Sequence, residues 1–300
     1  MDRLQGIEVF VRVAELGGFA KAARDLGLSP PAATRAVSAL EERLGARLLV
    51  RTTRSVRLTE SGARFLADAK RLLAELQEAE ESAAGDHAEP RGELRITAPL
   101  LFGRLHVAPV LAAFLDRYPL VSAQALFLDR SVSLMEEGLD LAVRIGPLPD
   151  SSLIAIKVGE VRPTVFASPA YLAREGTPQR PSDLSGHRLI HANSVSALPE
   201  WRFLEDGSER RFRFEPRLTL NANEAVRELA ESGWGVARLL SYQVAEALSA
   251  GRLVRLLEDY EPAPLPVHLL HPEGRRTSAK LRAFVDFAAL RLGERLSALP

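Results

Sequence analysis

The stretch Gly85-Asp86-His87-Ala88-Glu89-Pro90 divides the chain into two parts that follow different rules. Before it, apolar residues recur at helical spacing; after it, strand and helix patterns alternate. Two such patterns do not share one layered core, so separate folding units are expected, and 300 residues leave room for them.

In the first part, Leu4, Ile7, Val11 and Ala14 mark a helix that Gly17-Gly18 stops. A second helix spans about 20–26, with Gly27 suited to the left-handed position after its end. A third has a clear start: Ser29 as N-cap, then Pro30 at the first helical position, where a missing N–H costs nothing. Val37, Leu40 and Leu44 line its inner face, and Gly45 ends it. β-type runs at 47–51 and 55–59 flank Thr52-Thr53-Arg54, which predicts a small hairpin.

A long helix is predicted over about 60–84. Phe65, Ala69, Leu72, Leu76, Ala79 and Ala83 are spaced 4, 3, 4, 3, 4, which is a heptad seam. A helix packed on its own domain gives the same spacing over three heptads. The narrow seam and wide charged flanks favour pairing with a second copy instead.

After the break, strands are predicted at 94–97, 121–128, 141–144, 164–167, 188–192, 217–220, 236–239 and 267–270. Helices are predicted at 105–114, 133–137, 223–231, 242–248 and 278–292. Repeated strand–helix units argue for parallel sheets covered by helices.

The formal net charge of zero hides a partition. Residues 1–58 carry ten Arg and Lys against six Asp and Glu, whereas 59–89 carry three against eight. Short helices leading to one that begins Ser29-Pro30 have the outline of a helix-turn-helix, although helical hairpins also serve as plain packing units. Three details favour a DNA reader. Pro31, Ala32, Thr34, Arg35 and Ser38 give the helix start a face of small or hydrogen-bonding groups, where base edges come close. The N–H groups beside Ser29 and Pro30 suit a backbone phosphate. The hairpin adds Arg47, Arg51, Arg54 and Arg57 with Thr52, Thr53 and Ser55, a wing for further phosphates.

The stretch Phe19-Ala20-Lys21-Ala22-Ala23-Arg24-Asp25-Leu26-Gly27-Leu28-Ser29-Pro30-Pro31-Ala32-Ala33-Thr34-Arg35 resembles the N-terminal signature of LysR-type transcriptional regulators. So does Leu40-Glu41-Glu42-Arg43-Leu44-Gly45-Ala46-Arg47-Leu48-Leu49-Val50-Arg51-Thr52-Thr53-Arg54, ending in Leu58-Thr59-Glu60-Ser61-Gly62. The match is dense over about the first 85 residues and looser beyond them, at Asp140-Leu141-Ala142-Val143-Arg144 and Gly233-Trp234-Gly235-Val236-Ala237. Three departures stand out: Pro30 where many members carry Gln, Ala33 where a larger aliphatic is usual, and Ala237-Arg238-Leu239-Leu240-Ser241 where a Leu-Pro pair often follows Gly235. The resemblance implies an all-α winged helix-turn-helix domain (1–59) and a dimerising linker helix with hinge (60–89). It further implies a two-lobed α/β effector domain like type 2 periplasmic binding proteins (90–300). Lobe I would be approximately 90–163 with 265–300, and lobe II approximately 164–264. Tetramers built as two dimers are also implied.

Ligands of open α/β sheets sit beyond the carboxyl ends of strands. Three loops answer that description: Pro99, Leu100, Leu101 and Phe102 within 98–103; Asp129-Arg130-Ser131; and Asn221-Ala222-Asn223-Glu224, where Asn223 is a candidate N-cap. Arg144 and Asn193 at strand ends add polar groups, and His191 is expected to pack. The expected effector is a small anion, with Arg144 and Asn223 as anchors and Pro99, Leu100 and Phe102 as an apolar wall. Asp129 is expected to orient a neighbour.

Zero cysteines exclude disulfides and thiolate chemistry, and the six histidines lack metal-ligand spacing, so neither metal nor cofactor is expected. Nucleophile elbow, phosphate loop and zinc-protease motifs are absent, and Gly233-Trp234-Gly235 lacks the third glycine of a dinucleotide fingerprint. The alternatives are an enzyme on a binding-protein fold, or a solute-binding module with an accessory helical head. No window holds the ~18 apolar residues of a membrane span, and Met1-Asp2-Arg3-Leu4-Gln5 lacks a signal peptide's pattern. The expected protein is a cytoplasmic regulator, not an enzyme, with duplex DNA, a small effector and further copies of itself as partners.

Overall fold

The computed structural model describes residues 3–51, 56–83, 89–130, 132–148, 152–195, 197–272 and 278–298. They fall in two units, Met1–Ala88 and Glu89–Pro300. Among them, no helix is long and apolar enough to cross a membrane.

The first unit opens with α1 (Arg3–Leu16), α2 (Phe19–Asp25) and α3 (Pro30–Leu44). Gly27 and Gly45 both hold left-handed backbone after their helices, at φ 65° and 63°. Ser29 caps α3, its Oγ accepting the Ala32 N–H at 3.4 Å. Val9, Phe10, Val13, Ala33, Val37 and Leu40 form the centre of the core. Leu44, expected inside, is the last helical residue and lies exposed; the buried apolar side chain after Gly45 is Leu48. Strands β1 (Leu49–Arg51) and β2 (Val56–Leu58) pair antiparallel, with Leu49 opposite Leu58.

Helix α4 (Glu60–Ala83) follows. Its start is set by Thr59, whose Oγ1 accepts the Gly62 N–H at 2.9 Å and donates to the Arg47 carbonyl at 2.7 Å. Gly62 is required here: a Cβ would stand 2.0 Å from the Leu48 carbonyl oxygen. The first turns of α4 pack on the head's own core. Phe65 lies 5.6 Å from the Phe10 ring, and Ala69 is wholly buried.

The second unit contains β3 (Gly92–Ala98), then α5 (Leu100–Phe102), which runs through a π-helical turn, Gly103–Val107, into α6 (Ala108–Arg117). This helix thus starts five residues before its expected position. Strands β4 (Val121–Phe127), β5 (Leu141–Ile145), β6 (Leu153–Val161) and β7 (Pro163–Ala167) come next, then α7 (Pro169–Glu175) and β8 (Leu189–Ala192). A hairpin of β9 (Glu200–Glu205) and β10 (Ser208–Arg213) precedes β11 (Leu218–Leu220), α8 (Asn223–Glu231) and β12 (Val236–Leu240). The chain ends with α9 (Ser241–Ser249), β13 (Val254–Leu256), β14 (Leu265–Pro272) and α10 (Ala279–Ser297).

Two five-stranded sheets result, in the orders β4-β3-β5-β14-β6 and β11-β8-β12-β7-β13. Both are mixed, not parallel as expected. β14 runs antiparallel to β5 and β6, and β7 antiparallel to β12 and β13. The reason lies at Arg162. There the chain passes directly from β6 of one sheet into β7 of the other with no intervening helix, so no crossover restores the strand direction. A helix is expected at 133–137; residues 134–138 instead form turns.

Candidate functional sites

The exposed side of α3 carries the predicted DNA-reading residues. Ser29, Pro30, Pro31 and Arg35 are exposed and Ala32, Thr34 and Ser38 half-buried, while Ala33, Ala36, Val37 and Leu40 face the core. Thr34 Oγ1 donates to the Pro30 carbonyl at 3.0 Å, which commits its hydrogen and leaves its oxygen as an acceptor. Arg35 makes no ion pair within 4.0 Å among the described residues.

The wing is fixed to this helix by Glu41, a buried carboxylate on α3. Its Oε1 accepts the N–H groups of Leu48 and Leu49 at 2.8 and 3.0 Å, and its Oε2 meets Arg47 at 3.2 Å. Sequence reasoning passed over Glu41, although a lone acid on the inner face of an amphipathic helix was the available signal. Thr52, Thr53 and Arg54 lie outside the described residues, as does the side chain of Arg51. Arg57 is exposed on β2.

The heptad seam is divided. Phe65 and Ala69 belong to the head's core, whereas Leu72 is exposed and Leu76 half-buried. The side chains of Ala79 and Ala83 lie outside the described residues.

In the second unit a cleft of about 200 Å³ opens where the two sheets meet. Pro99, Asp129, Arg130 and Arg144 line it from the first sheet, and Asn223 from α8. Asp129 Oδ1 accepts the Leu100 N–H at 3.0 Å, Arg130 pairs with Glu137 at 2.9 Å, and Arg144 donates to the Val132 carbonyl at 2.9 Å.

Four expected lining residues are elsewhere. Leu101 and Phe102 are buried in the core because the helix starts at Leu100 and turns them inward, the Leu100 side chain is exposed and does not line the cleft, and exposed Asn193 yields its place to Ser194. Asn223 does not cap α8. It is the first helical residue, and its Oδ1 accepts from Ser194 Oγ at 2.6 Å.

Thr97, Ser194, Tyr242 and Gln243 also line the cleft and were not foreseen. The carboxyl end of β12, next to Tyr242 and Gln243, was the missed clue. Gln243 Nε2 donates to the Tyr242 hydroxyl at 3.1 Å, while its Oε1 accepts the Leu240 N–H at 2.9 Å. Burial holds the Tyr242 phenol above its ordinary range. Beneath it lies His106, in the π-helical turn, its ring 5.6 Å from Tyr242 and 4.9 Å from Phe102. Both His106 nitrogens are buried without a hydrogen-bond partner among the described residues; burial, helped by Arg295, lowers its pKa to about 4.

Two residues noted in the sequence lie away from the cleft lining. His191 is buried against Phe214, with ring centres 6.0 Å apart. Arg238 stacks on Trp201 at 5.5 Å and donates to the Arg202 carbonyl, held by the β9–β10 hairpin.

Comparison with known proteins matches residues 4–63 to the bacterial regulatory helix-turn-helix protein, lysR family, and residues 87–292 to the LysR substrate binding domain. The transcriptional regulator CrgA of Neisseria meningitidis is 35% identical over 291 residues, covering 97% of each chain. The regulator PtxR of Pseudomonas aeruginosa is 36% identical over 290 residues, covering 97% of this chain and 93% of its own. Among solved structures, full-length CrgA aligns with a TM-score of 0.62 at 33% identity, over 98% of this chain and all of the other. The Vibrio cholerae virulence activator AphB aligns with a TM-score of 0.60 at 30% identity, over 96% of this chain and 98% of its own.

Proposed function

The chain belongs to the LysR family of DNA-binding transcriptional regulators, with a helix-turn-helix for DNA and a substrate-binding domain for an effector, and from that premise we propose how its residues divide the work. Helix α3 enters the major groove, where Thr34 and Arg35 meet base edges, with Pro31, Ala32 and Ser38 beside them. Ser29 and Pro30 place the helix N-terminus on a phosphate, and the wing, with Arg51, Thr52, Thr53 and Arg54, adds backbone contacts. Two chains pair through α4 by way of Leu72 and Leu76. The protein acts in the cytoplasm and has no catalytic role.

The effector is a small organic anion bound in the cleft between lobe I (90–163 and 265–300) and lobe II (164–264). One observation carries this reading: Arg144, the Ser194–Asn223 pair and Gln243 converge from both sheets on one cavity. At about 200 Å³ the cleft is smaller than the roughly 300–1,000 Å³ of drug-sized sites, which favours a compact ligand. Arg144 meets the carboxylate and Asn223 fixes its orientation, while Asp129 serves the Leu100 N–H. A ligand that touches both lobes favours their closed arrangement and so biases how the paired heads engage DNA. Such couplings amount to about 1–3 kcal/mol.

The test is a thermal-shift screen of organic acids on wild type, Arg144→Ala and Asn223→Ala, followed by operator binding with each hit. Stabilisation lost in both variants supports the cleft. Equal stabilisation in all three proteins overturns it.

A further inference from the structure

Among the described residues, three hydroxyls line the cleft: those of Thr97, Ser194 and Tyr242. Two have their hydrogens committed within the protein. Thr97 Oγ1 donates to the Leu126 carbonyl at 2.7 Å, and Ser194 Oγ donates to Asn223 Oδ1 at 2.6 Å. Tyr242 differs. The Gln243 amide is oriented by its Oε1, which accepts the Leu240 N–H, so its Nε2 faces the phenol and donates to it. The phenol oxygen is therefore an acceptor within the protein, and its own hydrogen has no partner among the described residues.

That hydrogen belongs to a buried group. Tyr242 is only 4% exposed, and its ring packs edge-on against Phe102 and His106 at 5.2 and 5.6 Å. The His106 nitrogens make no hydrogen bond among the described residues, so they do not take it. Burial, with Asp129 and Glu224 adding to it, keeps the phenol protonated and hence a donor. A buried donor without an acceptor is costly, and a ligand oxygen in the cleft removes that cost.

The same two carboxylates restrict which oxygen fits. Asp129 lines the cleft and Glu224 adjoins Asn223, and both act on the phenol. A negative oxygen at Tyr242 is repelled by them, whereas a neutral carbonyl or hydroxyl oxygen is not.

We propose that Tyr242 determines the specificity of the cleft: the effector is a small monocarboxylic acid that also carries a neutral carbonyl or hydroxyl oxygen, and this oxygen accepts the phenol hydrogen. The proposal rests on the cleft being the effector site, with the carboxylate on Arg144.

The experiment is calorimetric titration of the full-length protein with acids paired to differ in one oxygen-bearing group. The pairs are pyruvate with propionate, levulinate with valerate, and mandelate with phenylacetate; glutarate with valerate adds a second charge instead. Wild type, Tyr242→Phe and Arg144→Ala are compared by the affinity ratio within each pair, so that a general loss of affinity cancels. A thermal melt checks folding. If Tyr242→Phe alters the melt, Gln243→Glu replaces it, because a carboxylate there accepts the phenol hydrogen and withdraws it from the cleft. The expected result is that wild type prefers the oxygenated member of at least one neutral pair by about tenfold, the scale of one hydrogen bond. Tyr242→Phe brings that ratio close to one, while Arg144→Ala weakens both members and keeps the ratio. A preference that survives Tyr242→Phe, or a preference for glutarate alone, overturns the proposal. Paired acids that bind alike also overturn it, and if Arg144→Ala weakens both, the cleft reading stands. Binding by no probe, or binding indifferent to all the variants, overturns both.

Discussion

Glu41 on the recognition helix accepts the backbone N–H of Leu48, the residue that leads into the wing, at 2.8 Å. Its oxygen serves Leu49 as well, so one buried carboxylate joins α3 to β1. Glu41→Ala leaves two N–H groups at a buried site without their acceptor. A loss of about 2–4 kcal/mol is expected in urea unfolding, from unsatisfied donors and a lost charged acceptor. Glu41→Gln keeps an acceptor and loses less. Equal losses in the two variants would show that the side chain's volume, not its oxygens, holds the wing.

The divided seam on α4 separates two effects that the heptad pattern merges. Ala69→Glu buries a charge in the head's core and lowers the melting temperature of the head itself. Leu72→Glu, on an exposed side chain, leaves that melt nearly unchanged and shifts the mass in solution toward the monomer. Light scattering with a melt on each variant distinguishes them. An unchanged mass in Leu72→Glu removes that residue from the contact between copies.

On the DNA face, Arg35 and Arg57 are expected to behave differently because they sit on different elements. Arg35→Ala on α3 relaxes base preference at one position, costing about 1–3 kcal/mol against the preferred base. Arg57→Ala on β2 weakens operator and random DNA alike and lowers the salt slope by about one. Titrations at several salt concentrations, on operator and scrambled duplex, provide the check. A base-specific effect from Arg57→Ala would reverse the assignment.

The head was legible because its signals are local. Ser29 with Pro30 starts a helix and Gly45 ends one, whatever lies around them. The effector unit was less legible because its decisive relationships are between residues far apart. Ser194 and Asn223 are 29 residues apart, and their bond, not a helix cap, sets where the Asn223 side chain goes. The edge strand β6 was missed because Ile154 and Ala155, neighbours that point to opposite faces, are both exposed, so its pattern does not alternate cleanly. Its passage into β7 at Arg162 also removes the helix that a parallel connection requires. Phe102 illustrates a third limit: a loop expected to face ligand was the first turn of a helix, whose rotation sent the ring into the core.

His106 gives the effector unit a pH dependence whose sign follows from its burial. Its pKa is lowered from 6.5 to about 4, chiefly by burial, so the folded protein holds the ring neutral while the unfolded chain takes up a proton below about pH 6.5. In that window the unfolded state binds more protons, and stability therefore falls as pH falls. The contribution is fully present above pH 6.5 and is lost progressively toward about 4, an effect of about 1–3 kcal/mol. Phe102 and Tyr242 pack around the ring, so His106→Phe keeps an aromatic body there and removes the titration. Wild type and variant should unfold with a constant difference above pH 6.5. Below it, wild type should lose stability faster. Chemical unfolding from pH 7.5 to 4.5 measures this difference directly, and curves that stay parallel over the whole range would mean that His106 takes up its proton in the folded protein as readily as in the unfolded chain.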